Sequence, residues 1–342
     1  MKYSFCLTIF FLIKSQFGWA QPTEESLLYK INFEKHTIKG HPDIEFILSK
    51  DTTVRKKPLI LFIQGSGSVP LVLYDSIGVT NGFPFKVDAF KNTCNFVVIS
   101  KPGVPLTCPF ELGYKGYKNP DGKFSDTFIQ NDHLDYYVKS AESVLEYLQY
   151  KPFVHADSIF VIGHSQGYRV AAKLASTSLL VKKVVCMSAN PMNRYCEYIS
   201  ERRFYANCGL KDHKIVQQSI DSITSEFVDL SKSKLLFDTI TEVPPQFRNS
   251  ISFNFDLPYT HLLTTNAPIL IVYGTRDIGA QLNDLLPIIF SASGKSNILL
   301  KAFPDLDHNF FKNIYDTHGT IIKKEFYWDF VFNEVLMWLL NK

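Results

Sequence analysis

The sequence predicts an α/β protein with an open, mostly parallel sheet flanked by helices. Three observations carry this expectation. Short apolar runs rich in β-branched and aromatic residues alternate with helical patterns, the runs are continuously apolar, and they end in polar, glycine or proline residues. Continuous hydrophobicity suits strands covered on both faces, and strand–helix alternation suits parallel crossovers. Ligands of such sheets bind beyond the carboxyl ends of the strands.

The elements follow in order. "YKINFEK" and "DIEFILSKD" read as an opening antiparallel pair. "PLILFIQGSG", "NFVVISKPG", "SIFVIGHS", "KKVVCMSANP", "APILIVYGTRD" and "NILLKAFPDLDH" are the core strands. Between them, "NDHLDYYVKSAESVLEYLQY" places Leu134, Val138, Ala141, Leu145 and Leu148 on one helical stripe, "QGYRVAAKLAS" starts a helix, and "FVFNEVLMWLLNK" reads as a closing helix. The stretch over 191–258 breaks the alternation. It is polar and aromatic, with Ile215, Val216, Ile220, Ile223 and Phe227 at helical spacing, and reads as a helical cap: a lid over the strand ends, or a purely stabilising insertion. The expected organisation is a core over 21–190, the cap over 191–258 and the rest of the core over 259–342.

At the N-terminus, Lys2 precedes an apolar run over 3–13, too short to cross a bilayer, and Gly18 and Ala20 are small residues of the kind a signal peptidase needs. A signal peptide over 1–20, cleaved after Ala20, is expected, with export to the periplasm or the extracellular space. Lys14 interrupts the run, and the alternative is a buried N-terminal helix. No later segment approaches a membrane span.

Charge and composition narrow the function. The chain carries +3 formally, and +1 without Lys2 and Lys14, so electrostatics give no case for nucleic acid. A hydrophobic content of 46% permits a large core. Cys94, Cys108, Cys186, Cys196 and Cys208 follow the leader; an odd number in an oxidising compartment allows at most two bridges. Cys186 lies in an apolar strand and reads as a buried thiol, whereas Cys196 and Cys208 are the expected pair. No cysteine or histidine cluster has zinc-ligand spacing, and no cofactor is required.

Gly163-His164-Ser165-Gln166-Gly167 carries the chemistry. The pentapeptide alone is weak, but here it sits between a strand and a helix, where a sharp turn exposes the serine above the sheet. A serine needs a base and an orienting acid. Asp277 follows "ILIVYGTR" and His308 closes "NILLKAFPDLDH", both at strand ends, in the order serine, acid, histidine. Asn190, at the end of the preceding strand, offers no carboxylate, and Asp305 and Asp307 are too near His308 in the same loop to reach its far ring nitrogen. His164 is expected to pack or to form a hydrogen bond. Gln64-Gly65-Ser66-Gly67 is a glycine-rich loop after a core strand. With Gln166 it supplies backbone N–H groups, those of Ser66 and Gln166, for an oxyanion. It has neither a P-loop ending nor a dinucleotide fingerprint.

Taken together, Gln64-Gly65-Ser66-Gly67, the pentapeptide, "YGTRD" and "DLDHNFF" resemble the α/β-hydrolase family from about residue 40 onward. The resemblance implies an eight-stranded, mostly parallel sheet with a helical cap and a triad of Ser165, Asp277 and His308. Gln64 departs from the histidine common in the oxyanion motif. The expected activity is hydrolysis of a carboxylic ester, of a small molecule, lipid or sugar, through an acyl-enzyme. A peptidase or amidase acting on a peptide, and a non-catalytic binding protein of the same fold, are the alternatives.

Overall fold

The computed structural model describes residues 22–50 and 55–341. The expected leader lies outside the described residues. Helix α1 (Glu24–Lys30) starts at Thr23, whose hydroxyl accepts the Ser26 N–H, and leads into the antiparallel pair β1 (Phe33–Ile38) and β2 (Ile44–Ser49). Next come β3 (Lys57–Ile63), the short β4 (Val72–Tyr74), β5 (Asn95–Ile99) and the short β6 (Thr107–Pro109). Helices α2 (Phe110–Gly113), α3 (Asp126–Asn131) and α4 (Leu134–Leu148) precede β7 (Val154–His164), α5 (Gln166–Thr177) and β8 (Lys183–Met187). Four helices follow: α6 (Arg194–Asn207), α7 (His213–Lys234), α8 (Pro245–Phe255) and α9 (Pro258–Thr264). The chain returns to the sheet with β9 (Ile269–Gly274), α10 (Leu286–Ala292) and β10 (Ile298–Phe303). It closes with the hairpin β11 (Phe311–Tyr315) and β12 (Ile321–Phe326), then α11 (Trp328–Leu340).

The main sheet has eight strands in the order β1-β2-β5-β3-β7-β8-β9-β10. From β5 to β10 all neighbours are parallel, and β2 runs against both of its neighbours. The continuous apolar runs have the expected cause. Leu59, Leu61, Ile159, Val161, Val184 and Ile271 point into one core with α4 and α5. Their chain neighbours Ile60, Phe62, Phe160, Ile162, Val185 and Val272 point into the other, with α1 and α11. Each such buried side chain stabilises the fold by about 1.5–3 kcal/mol.

The α4 stripe is buried as its spacing predicts. On α7, Val216 and Ile220 are buried but Ile215 is exposed, because this helix packs on α6 along a narrower face than the core helices do. Several elements lack a sequence prediction: α1, the β4–β6 pair, α2, α3, α9, α10 and the β11–β12 hairpin. All five cysteines within the described residues are free. The expected Cys196–Cys208 pair is therefore corrected. The two sit at opposite ends of α6, about 18 Å apart at 1.5 Å per residue, far beyond disulfide reach. No helix among the described residues is long and apolar enough to cross a membrane.

Candidate active site

Strand β7 turns into α5 through Ser165, whose backbone sits at φ 57° and ψ −118°. An L residue is held there at a cost of about 1–3 kcal/mol. Two glycines make the turn possible by close approach. A Cβ on Gly163 would lie 2.0 Å from the Gly167 carbonyl oxygen, and one on Gly167 would lie 2.2 Å from that of Ile63. The Ser165 N–H donates to Met187 O at 2.9 Å, anchoring the turn to β8.

The loops after β9 and β10 meet this turn. His308 Nε2 lies 3.1 Å from Ser165 Oγ, and His308 Nδ1 lies 2.8 Å from Asp277 Oδ2. A carboxylate only accepts, so Nδ1 carries the proton and Nε2 is free to accept from the serine hydroxyl. Burial pulls the His308 pKa down, but the hydrogen bond and charge of Asp277 outweigh it, and the net shift is above the ordinary 6.5. The two nearer carboxylates are engaged elsewhere. Asp305 accepts from Arg276 at 3.2 Å, and Asp307 accepts the N–H groups of Asn309 and Phe311, each at 2.9 Å.

His164 is buried, and its Nε2–H donates to the backbone oxygen of His308 at 3.1 Å. Burial above all, then the nearby His308, lowers its pKa to about 4. It thus stays neutral and ties the histidine loop to the serine turn. The glycine-rich loop after β3 faces the same point: a Cβ on Gly65 would touch Ser165 Cβ at 3.2 Å. Ser66 and Gln166 both line the cleft in front of Ser165. Gln64 points away, its Nε2–H donating to Gly82 O at 3.1 Å, so the departure at this position serves to pin the loop.

The cleft holds about 340 Å³ and is mostly polar. Sequence reading did not single out Arg169 on α5, Arg194, Glu197 and Tyr198 on α6, Asp132 before α4, or Asn249 on α8, all of which line it. For Arg169 a signal existed, since a residue four beyond the serine shares its helix face. For the α6 residues there was none, because only the tertiary fold brings that helix over the strand ends. Burial, then the charge of Arg194, lowers the Arg169 pKa to about 10, which leaves it cationic at neutral pH. Burial raises the pKa of Glu197, with Arg169 opposing. Lys101 is buried below Gln166, its Nζ 3.4 Å from Gln166 Oε1 and 4.3 Å from the Tyr137 ring centroid. Burial brings it down to about 8 against the opposing charge of Asp132.

A second serine–histidine–carboxylate chain lies elsewhere. Ser176 Oγ is 3.0 Å from His261 Nδ1, and His261 Nε2 meets Asp256. There the hydroxyl donates to Lys173 O at 2.7 Å, and none of the three lines the cleft. This chain ties α5 to the segment around α9. Among the described residues, no group of three or more His, Cys, Asp or Glu side chains is placed to hold a metal.

No family model and no curated protein matches the sequence. Solved structures do match. Dipeptidyl peptidase 4 of Porphyromonas gingivalis superposes with a TM-score of 0.52 at 11% identity, over 90% of this chain and 35% of its own. A puromycin-hydrolyzing peptidase of Mycobacterium tuberculosis superposes with a TM-score of 0.50 at 8% identity, over 82% of this chain and 37% of its own. The fold is that of the α/β-hydrolases. The chain spans about a third of the length of each of these two proteins. Within an α/β-hydrolase sheet the turn after β7 and the loops after β9 and β10 all open at the carboxyl ends of the strands. That is where the sheet rules place a ligand.

Proposed function

We propose that the chain is a serine hydrolase that cleaves a carboxylic ester through an acyl-enzyme on Ser165. The observation that carries this reading is the hydrogen-bonded chain from Ser165 Oγ through His308 to Asp277, 3.1 and 2.8 Å, at a serine held in a positive-φ turn. His308 Nε2 takes the hydroxyl proton as Ser165 Oγ bonds to the acyl carbon, and the carbonyl electrons move onto oxygen. The N–H groups of Ser66 and Gln166 hold that oxyanion. Each such donor is worth about 2.7–4 kcal/mol in comparable enzymes. Collapse expels the alkoxide, which leaves as the alcohol with the proton from His308. Water then gives a proton to His308 as its oxygen bonds to the acyl carbon, and collapse breaks the ester bond to Ser165 Oγ, which takes the proton back from His308 as the acid leaves. Asp277 fixes the tautomer and stabilises the imidazolium. The segment over 191–258 acts as a cap whose helix α6 forms one wall of the substrate site.

Amide cleavage is the second reading, favoured by the names of the two solved structures, both peptidases. The same groups serve, with the proton delivered to an amine. Intact mass after reaction with a fluorophosphonate tests the common core. One adduct is expected on the wild-type chain, none on Ser165→Ala and a greatly slowed reaction on His308→Ala. Absence of an adduct on folded wild-type protein would leave the non-catalytic binding protein as the better reading. Turnover of ester and amide versions of one acyl group separates the two hydrolytic readings.

A further inference from the structure

The charged groups around the cleft divide unevenly between partnered and unpartnered. Every carboxylate is engaged. Asp277 holds His308. Asp132 accepts from the Tyr137 hydroxyl at 2.7 Å and from Asn249 at 3.0 Å. Glu197 accepts from Asn190 Nδ2 at 3.1 Å and rests against Gly279, where a Cβ would lie 2.6 Å from its carboxyl carbon. Two guanidiniums face these groups. Neither Arg169 nor Arg194 forms an ion pair with any described residue, whereas many lysines do.

Arg169 is the more telling of the two. It is only 4% exposed, and its Nε and Nη2 are buried with no hydrogen-bond partner. A buried, unpaired guanidinium costs several kcal/mol. Water can occupy a donor, but it cannot neutralise the charge. Position adds direction. Arg169 is four residues beyond Ser165 on α5, so its Cα lies about 6 Å further along the axis. Helical side chains lean toward the N-terminus, which carries the guanidinium back toward the serine. Two further donors are unsatisfied at the same wall. Lys101 can only donate, so it fixes Gln166 with its oxygen inward and leaves the buried Nε2 unpaired, and Ser188 Oγ is unpaired as well. Such a wall of unsatisfied donors around a guanidinium that has no ion-pair contact, with the charge of Glu197 near enough only to raise its pKa, suits an acceptor-only anion, and a planar carboxylate fits a guanidinium fork.

We propose that the substrate of this site carries a carboxylate, which the guanidinium of Arg169 binds with Arg194 beside it. The preferred ester is then one whose acyl or alcohol part bears a free acid a few bonds from the scissile carbonyl. This inference rests on the serine hydrolase reading, and its test keeps the two apart. Matched esters are compared: p-nitrophenyl hydrogen glutarate against p-nitrophenyl valerate for the acyl side, and 4-carboxyphenyl butyrate against phenyl butyrate for the alcohol side. The readout is the ratio of kcat/KM within each pair, from which a general loss of activity cancels. For the wild-type chain one pair is expected to favour the acid by about tenfold to hundredfold, the range of a charge-assisted hydrogen bond. Arg169→Met is expected to bring that ratio to one or below, chiefly through KM, and Arg169→Lys to restore part of it. Ratios near one in both wild-type pairs, with the fluorophosphonate still labelling Ser165, would overturn the carboxylate site and leave the hydrolase intact. If no ester turns over and no label attaches, thermal unfolding in glutarate decides. A rise for wild type that Arg169→Met lacks keeps the carboxylate site without the hydrolase, and no rise removes both.

Discussion

Gly274→Ala offers a demanding test of how the site is held. Gly274 ends β9 and packs against the loop after β10, where an added Cβ would stand 2.2 Å from Leu306 O, 2.5 Å from its carbonyl carbon and 2.7 Å from Asp307 O. All three are backbone atoms, so no side chain can rotate out of the way. An ordinary contact begins at 3.4 Å, and the two loops must therefore separate by about 1.2 Å. Asp277 lies three residues past Gly274 and His308 two past Leu306, with the Arg276 N–H to Leu306 O bond of 2.9 Å between them. Transmitted in full, the shift stretches the 2.8 Å contact between His308 and Asp277 to about 4 Å, beyond hydrogen bonding. A misplacement of about 1 Å costs about 10² in rate, while overpacking of this size costs about 1–3 kcal/mol of stability. The variant should thus remain folded by circular dichroism and denaturant titration, with kcat/KM for a p-nitrophenyl ester and the rate of fluorophosphonate labelling both down about 100-fold. Activity within twofold of wild type in a folded variant would refute the idea that this close approach sets the acid against the base.

Other outcomes follow from the same geometry. Because the proposed general base must be neutral and the His308 pKa is shifted above 6.5, the acid limb of kcat/KM should fall above pH 6.5; Asp277→Asn should move it lower and reduce kcat by about 10⁴-fold. His164 has a folded pKa of about 4, so below pH 6.5 the unfolded chain takes up a proton that the folded chain refuses. Its contribution is present above pH 6.5 and lost as pH falls toward 4, about 3 kcal/mol in all; urea midpoints of wild type and His164→Gln over this range should converge on acidification, and parallel curves would count against it. Cys208 is exposed, whereas Cys94 and Cys186 are buried, with burial raising Cys94 to about 12 and Cys186 further. Ellman's reagent should reach Cys208 in the native chain and the three buried thiols, Cys94, Cys108 and Cys186, only after denaturation, and a Cys196–Cys208 peptide under non-reducing conditions would contradict the α6 geometry.

The main sheet was legible because its central strands β3, β5, β8, β9 and the second half of β7 are continuous apolar runs with both faces covered, whereas the edge strand β10 is only partly buried. Ser165, Asp277 and His308 were legible because each follows such a run at its carboxyl end, where chain order alone suggests a meeting. The hairpin over Phe311–Tyr315 and Ile321–Phe326 gave no such signal: Ile321, Ile322, Lys323 and Lys324 are all exposed, so no burial alternation is imposed on their types. The polar wall of the cleft was opaque for a different reason. Arg194, Glu197 and Tyr198 belong to a stretch that reads only as polar and aromatic, and their relevance comes from where α6 lands. Cys196 and Cys208 misled because twelve positions look short in sequence, and only the helix between them converts that interval into distance.

The separation of Ser165 and His308 by 143 positions also has a consequence in time. Synthesis proceeds at about 5–20 residues per second, so the serine leaves the ribosome about 7–29 s before the histidine. During that interval the nascent chain holds the proposed nucleophile without its proposed base. The histidine hangs from β10, an edge strand that pairs only with β9, and that strand is the last of the main sheet to be made. On the proposed mechanism, reactivity of Ser165 is a clock for completion of the sheet: it starts when the edge strand docks, and a chain stalled before that point can carry every residue of the serine turn and remain inert.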